Sequence, residues 1–534
     1  MRKPFFYISL FIMSWIYTTQ FKSVDWDLWA RLAVGKIFFQ TGQVLKNDIF
    51  SYTTTKPIWI DHEWGSGVIF YFLADHFGDV GLLLLKIVGT FLIIFLISKI
   101  VELQNIQPNK HLNLVFFILA LMGLFYGVGS TVRCQLFTFI FFTLWIYVLE
   151  RVRRRENRLL WIFPATCLIW ANLHGGFVSG LGLIGIYGIG EFLNKKPFKK
   201  YFLILIPSVL ITLINPYGVK YWSFIAHAAT MSRFTISEWL PTGIFPLDKW
   251  KGFKIFTVIA LLSFLFSIIR NLPKPQNLAK KYYELDKVKY LLLIITFYLA
   301  MRYNKHQNLF VISAASFLYY DFYGIFDTFR DYIISLFNKV KKTENTTWGE
   351  IAAKVLEKGA LAKDILVYSI IIGIGGALIC TTPLKFGIDP SKFPVEAVEF
   401  IKKNNLSGNV LTLFHWGSYV AWKLYPNSFI AEDGRYEEVY PEEVHLKVYN
   451  FNYKVNNLWL NILREYHTDI ILMEKANSRS YLSMLENKQW KQVYDDSISA
   501  VFIPSRESKK SYVMPRINEK LIFENKFDTA INFR

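Results

Sequence analysis

Cysteine is almost absent from this chain: Cys134, Cys167 and Cys380 are the only three in 534 residues. Three thiols cannot build a disulfide framework, and their spacing fits no cysteine metal site. Charged side chains are also scarce, at 19% of the chain, where a soluble protein carries about 25%. Apolar residues replace them. Hydrophobic side chains make up 53%, with 48 Phe, 30 Tyr and 16 Trp, and the mean hydropathy is +0.27. No internal repeat or low-complexity tract is present. Collagen, disorder and a compact soluble enzyme are therefore excluded, and the composition is that of a multi-pass membrane protein.

Negative charge is the second shortage: 41 Asp and Glu face 60 Lys and Arg, a net charge of +19. Such an excess can serve nucleic-acid binding, but its placement argues against that partner. The basic residues gather in short stretches between apolar runs: Arg151, Arg153, Arg154, Arg155 and Arg158; Lys195, Lys196, Lys199 and Lys200; Arg270, Lys274, Lys280 and Lys281; Lys339, Lys341 and Lys342. This is the positive-inside pattern of membrane proteins.

Apolar runs fall at residues 4–19, 80–101, 112–130, 135–149, 159–173, 177–192, 201–215, 253–269, 290–301, 309–326 and 365–381. They predict about eleven transmembrane helices, each of roughly spanning length. With Arg2 and Lys3 cytoplasmic, alternation puts every basic cluster inside, and the odd number puts the C-terminus outside. Residues 21–79 become a large first outer loop, in which 64–77 is open between an interfacial helix and a re-entrant segment. Residues 1–382 read as the membrane domain. Residues 383–534 are more polar and alternate helices (394–403, 418–424, 458–466) with strands (410–414, 428–430, 470–473, 500–503), a soluble α/β domain. The expected fold class is a polytopic α-helical membrane protein with a C-terminal extracytoplasmic α/β domain, resident in the inner or plasma membrane.

Polar residues next to apolar spans are costly and therefore informative. On this topology they segregate to the outer side: Asp25, Asp27, Arg31, Asp48, Asp61, His62 and Glu63 in the first loop, then Arg133, Gln135, Asn172, His174, Asn215, Glu238, Arg302 and His306. Singly, each has a structural explanation. Asp25-Trp26-Asp27 can cap a helix, His174 can sit in a turn, and Arg133 and Arg302 can snorkel to headgroups. Their concentration on one side favours an outward-facing site.

Three motifs then carry a resemblance. Val24-Asp25-Trp26-Asp27-Leu28-Trp29 follows the first apolar helix, with Asn47-Asp48-Ile49-Phe50-Ser51-Tyr52 and Ile60-Asp61-His62-Glu63-Trp64 after it. The sequence resembles the GT-C superfamily of membrane glycosyltransferases, which take a sugar from a polyprenyl-phosphate carrier. Within it, Asp25-Trp26-Asp27 is similar to the acid-x-Asp motif of the oligosaccharyltransferase catalytic subunit. Thr235-Ile236-Ser237-Glu238 is similar to its Thr-Ile-x-Glu motif. His415-Trp416-Gly417-Ser418-Tyr419 stands where that subunit carries its Trp-Trp-Asp-Tyr-Gly acceptor motif, without reproducing its Asp, and Glu432-Asp433-Gly434 follows.

The resemblance implies transfer from a polyprenyl-linked sugar donor to a glycan, lipid or protein acceptor, with inversion at the anomeric carbon. Asp27, then Asp25, are the expected general bases, because desolvation beside the membrane raises a carboxyl pKa towards that task. Arg133, Arg302, Lys305 and His306 are the cations expected on the leaving phosphate. Asp61, His62, Glu63, His174 and Glu238 support the site. Trp416 and Tyr419, with Trp422 and Tyr425, offer either sugar-stacking rings or core against the membrane part. No cofactor is predicted; a divalent cation is possible and would be held around Asp27, Glu63 and Glu238. Competing readings are transfer of a whole lipid-linked glycan, a transporter or flippase, and a non-catalytic assembly subunit. The absence of repeated halves and of mid-membrane charges disfavours transport.

Overall fold

The computed structural model describes residues 2–20, 22–104, 113–124, 128–129, 131–231, 233, 236–243, 249–271, 285–340, 368–476 and 479–505. Thr235, the basic residues Lys274, Lys280, Lys281, Lys341 and Lys342, parts of the 112–130 and 365–381 runs, and residues 506–534 lie outside the described residues.

The first two thirds of the chain are helical. In order come α1 (Arg2–Thr19), α2 (Leu28–Thr41), α3 (Trp64–Gln104), α4 (Leu114–Gly123), α5 (Gln135–Arg153), α6 (Ile162–Leu173) and α7 (Phe177–Leu193). They are followed by α8 (Lys199–Leu210), α9 (Lys220–Thr230), α10 (Lys251–Asn271), α11 (Lys287–Arg302), α12 (Gln307–Phe317) and α13 (Tyr319–Val340). Among the described residues, α3, α5 and α10 are each long and apolar enough to cross a bilayer. The stretch Asn304–Phe317 with Tyr319–Phe329 forms a further candidate bent by 56°, and α4, α7 and Tyr368–Thr381 are shorter apolar helices.

Lipid, not water, is the medium these helices suit. On α10 the exposed residues Val258, Leu262, Leu265 and Ile269 recur at helical spacing and form one apolar stripe. The opposite face, with Phe253, Phe256 and Ala260, joins the core of the bundle. The 64–77 segment is the first part of α3. Gly78, at φ 57° and ψ −145°, breaks the helix there, a conformation that lacks steric cost only without a Cβ. The 201–215 run is α8, which carries Pro207, and a 3-10 turn at Ile211–Leu213.

Residues 408–504 hold a five-stranded mixed sheet. Its strands are β1 (Gly408–Leu411), β2 (Ser428–Ile430), β3 (Ile470–Glu474), β4 (Trp490–Asp495) and β5 (Ser499–Pro504), in the order β2-β1-β3-β5-β4. β1 runs parallel to β2 and β3, while β5 is antiparallel to β3 and β4. Phe414–Leu424 is the helix between β1 and β2, so the expected strand 410–414 ends at Leu411 and Phe414 begins a helix instead. Strand β4 and helix Glu442–Tyr453 had no counterpart in the sequence pattern.

The first loop and the sheet unit form one packed body. Ile430 N–H donates to Phe50 O (2.9 Å) and Tyr52 N–H to Ile430 O (3.0 Å), which extends the β2 edge with loop backbone. Trp29 is buried against Tyr419 and Phe393, and one apolar cluster runs from α2 into the sheet unit. Trp416 and Tyr419 therefore do not offer faces to an acceptor. Both are buried, and Trp416 Nε1 donates to Lys392 O (2.7 Å). They are core, the second of the two roles the sequence left open.

Candidate functional site

Asp25 and Asp27 stand at the start of α2, but neither serves as an ordinary helix cap. Asp27 occupies the N-cap position and its side chain makes no capping hydrogen bond. Asp25 Oδ1 instead accepts from Asp27 N–H (3.0 Å), which closes a tight Asx turn. From the segment before α5, Arg133 reaches both acids: Nε donates to Asp25 Oδ1 (2.9 Å) and Nη2 to Asp27 Oδ2 (2.6 Å). Its Nη1 donates to Glu238, from the distant 3-10 turn Ser237–Trp239. Thr131 Oγ1 donates to Asp25 Oδ2 (3.1 Å).

Arg133 is thus the counter-ion of three carboxylates and not the free phosphate grip expected from the sequence. Desolvation, with Asp25, Glu238 and Glu63 adding negative potential and Arg133 opposing, pushes the Asp27 carboxyl up to about 7. Its side chain remains 45% accessible, so solvent screens these neighbours and tempers the rise.

One turn along α2, Arg31 organises a second cluster. It is buried and bonds Asp61, with its Nε 3.3 Å from Glu63 Oε2 and its Nη2 3.4 Å from Glu438 Oε2. Trp59 Nε1 donates to the same Glu438 oxygen (3.0 Å). His62 lies with Nδ1 3.0 Å from Glu438 Oε1 and Nε2 3.7 Å from Glu63 Oε1. Burial lowers the affinity of His62 for a proton, but Glu438 and Glu63 outweigh it and raise the imidazole to about 9. His174 behaves oppositely, lowered by burial to about 3. Gly176 N–H donates to His174 Nδ1 (2.9 Å), so neutral His174 carries its proton on Nε2, 3.3 Å from Glu63 Oε1.

The two clusters face one recess, lined by Asp25, Asp27, Arg31, Glu63, Arg133 and Gln135 among others. The sheet unit borders it through the turn after β2. A Cβ on Gly434 would stand 2.6 Å from Asp27 Oδ1, so this position stays bare for the acid to keep its place. His415 packs edge-on against Trp26, between the two acids, with centroids 4.6 Å apart. Gly434→Ala should leave the fold intact, because the atom it meets ends a movable side chain. It should swing Asp27 out of position and lower turnover roughly 10- to 100-fold, measurable alongside an unchanged thermal unfolding curve.

The remaining expected cations divide. Lys305 comes to the cluster, its Nζ 3.1 Å over the ring of Trp239, next to Glu238. His306 packs on Tyr303 and Trp239. Arg302 does not join: it is exposed at the end of α11 and lies over Tyr303. Arg233 was not anticipated. It lies over the same Trp239 ring (3.9 Å) and pairs with Glu437 (2.9 Å); its closeness to the 235–238 motif was the available signal.

A cation held by Asp25, Asp27 and Glu238 does not fit this arrangement, because the Arg133 guanidinium already fills the space among them. Among the described residues, the group whose ligand atoms lie within 4.8 Å of one another is His62, Glu63 and Glu438. Of the residues expected around a cation, Glu63 belongs to that group, while Asp27 and Glu238 are bound by Arg133.

No protein-family model and no curated protein sequence matches the chain. Solved structures do. The archaeal oligosaccharyltransferase AglB from Archaeoglobus fulgidus, in complex with an inhibitory peptide and a dolichol-phosphate, aligns with a TM-score of 0.56 at 10% identity, over 95% of this chain and 75% of that one. The apo form of the A. fulgidus oligosaccharyltransferase gives the same values. The form tethered to an acceptor peptide with the NVT sequon aligns at a TM-score of 0.53 and 11% identity, over 95% and 74% of the two chains. Each alignment covers 95% of the chain, which shares the overall fold of these oligosaccharyltransferases.

Proposed function

We propose that this protein is a membrane glycosyltransferase that moves a sugar from a polyprenyl-phosphate-linked donor to an extracytoplasmic acceptor hydroxyl or amide. The observation that carries the reading is the half-accessible carboxyl of Asp27, held by Arg133 at the mouth of a recess in a fold shared with oligosaccharyltransferases. The solved relatives are described with a dolichol-phosphate and with an acceptor peptide, which supports a lipid-linked donor here. The positive-inside pattern supports an outward-facing recess.

In the reaction, Asp27 accepts the proton of the acceptor group. The acceptor atom attacks the anomeric carbon, the bond from that carbon to the phosphate oxygen breaks, and its electron pair leaves with the phosphate. One displacement inverts the anomeric configuration. Lys305, over Trp239 and beside Glu238, takes the place of Arg133 and Arg302 as partner of the leaving phosphate. Arg133 holds Asp25, Asp27 and Glu238 in register.

The base must be ionised. With Asp27 raised to about 7, kcat/KM should fall about tenfold per pH unit below that value and level off above it. The direct test of the reading is donor consumption. The reconstituted protein is given a panel of polyprenyl-phosphate and polyprenyl-diphosphate sugars with envelope extract, and sugar release is followed by mass spectrometry. Consumption of one donor by wild type, but not by Asp27→Asn, is the expected result. No consumption of any donor would leave the transporter and assembly-subunit readings ahead.

A further inference from the structure

The Arg31 cluster has more negative charge than its own cation can balance. Asp61, Glu63 and Glu438 all lie against one guanidinium, that of Arg31. When the three carboxylates and His62 are all ionised, one negative charge still remains in a largely buried place, which is costly without a further partner. The carboxylates also divide their oxygens. Oε2 of Glu63 and Oε2 of Glu438 turn to Arg31, while Oε1 of each turns to His62. His62 Nδ1 lies 3.0 Å from Glu438 Oε1, and Asp61 Oδ2, on a wholly buried side chain, has no hydrogen-bond partner.

We infer that His62, Glu63 and Glu438 hold a divalent transition-metal ion that clips the first loop to the sheet unit. The ion takes the place of the His62 proton. With His62 neutral, its two charges match those left by the three carboxylates and Arg31. Donor atoms about 2.1 Å from one ion lie roughly 3–4 Å apart, and the three side chains, whose ligand atoms lie within 4.8 Å, need only a small inward movement.

The outer shell is already built. Arg31 and Trp59 fix Glu438, and Arg31 with the Nε2–H of His174 fixes Glu63. His174 is itself no ligand, because its Nδ1 accepts from Gly176 and Nε2 carries the proton. One imidazole among carboxylates selects a zinc- or manganese-like ion over magnesium or calcium. The site is separate from the Asp25, Asp27 and Glu238 trio, which Arg133 fills, and it does not depend on the glycosyl-transfer reading.

The test uses the full-length protein in detergent, stripped with a chelator, reloaded with Zn²⁺ and desalted, with metal content measured by mass spectrometry. Wild type and Asp27→Asn should each retain about one equivalent. His62→Ala and Glu438→Gln should each bind at least about tenfold more weakly. Zn²⁺ should also raise the Tm of wild type and leave that of His62→Ala unmoved. Should those variants fail to fold, Co²⁺ added to wild type provides the readout, since an imidazole-ligated ion in a low-symmetry site gives an intense visible band and an ion on surface carboxylates does not. Absence of stoichiometric retention and of that band overturns the assignment. So does metal lost from Asp27→Asn or Glu238→Gln but kept by His62→Ala.

Discussion

Replacing Asp27 by Asn should lower donor turnover by about 10²- to 10⁴-fold, the range for loss of a positioned general base. The side chain keeps its shape, so binding of the donor should change little and the loss should appear in kcat. The fold should survive. Asp27 contributes one of the three carboxylates around Arg133, and it is the most exposed of them, so the lost ion pair costs about 1 kcal/mol or less. Asp25→Asn should be less selective. Asp25 is buried and also closes the turn that positions Asp27, so stability and rate should fall together. Full activity in Asp27→Asn would remove Asp27 as the base while leaving transfer itself possible.

The largest structural effect is expected at Arg435. This guanidinium is buried, with Nε 2.9 Å from Asp433, Nη1 bonded to Asp48 and Nη2 donating to Tyr440 Oη (3.1 Å). The rings of Phe50 and Trp59 lie about it at 5.0 and 4.9 Å. It therefore fastens the first loop to the sheet unit from the inside. Arg435→Ala would strand Asp48 and Asp433 as uncompensated buried charges and empty the space between two aromatic rings. About 3–5 kcal/mol of destabilisation follows, enough to release the loop that carries Asp61 and His62. Thermal unfolding should show a marked fall in Tm, and limited proteolysis should cut within residues 42–60 faster than in wild type. Arg435→Lys should rescue only part of this, since an ammonium cannot make the same forked set of bonds.

Much of the site was legible because cost leaves a trace in sequence. Asp25 and Asp27 directly after an apolar helix, and Glu238 in a distant polar turn, stood out against a background poor in acids, and the fold brings them to one arginine. The pairing itself was not legible. Nothing local shows that Arg133 would meet three carboxylates and have no free face for a phosphate, or that Arg302 would stay exposed. Arg31 and Glu438 are separated by 407 positions, and a charge in sequence does not reveal its counter-ion.

The same blindness to long-range contact affected the rest. Arg435 directly follows Asp433-Gly434, a pair with turn chemistry, yet its side chain goes into the core. Trp416 and Tyr419 begin an aromatic-rich helix that could equally face a ligand or a core; the buried Trp29 of α2 decides for core. For the membrane part, hydropathy marks apolar runs, but it does not show where a glycine breaks a helix or a 3-10 turn ends one, as at Gly78 and Ile211–Leu213.

The central claim is that a sugar leaves a lipid phosphate in the recess beside Asp27, and the most direct measurement follows that sugar. A donor carrying a ¹³C-labelled sugar, chosen from those that wild type consumes, is incubated with protein in lipid vesicles and extract, and label is traced into the non-lipid fraction. Label should appear there at the rate at which polyprenyl phosphate is released, and both should vanish together in Asp27→Asn. Label that stays on the lipid while crossing the vesicle membrane would contradict the account and identify a transporter.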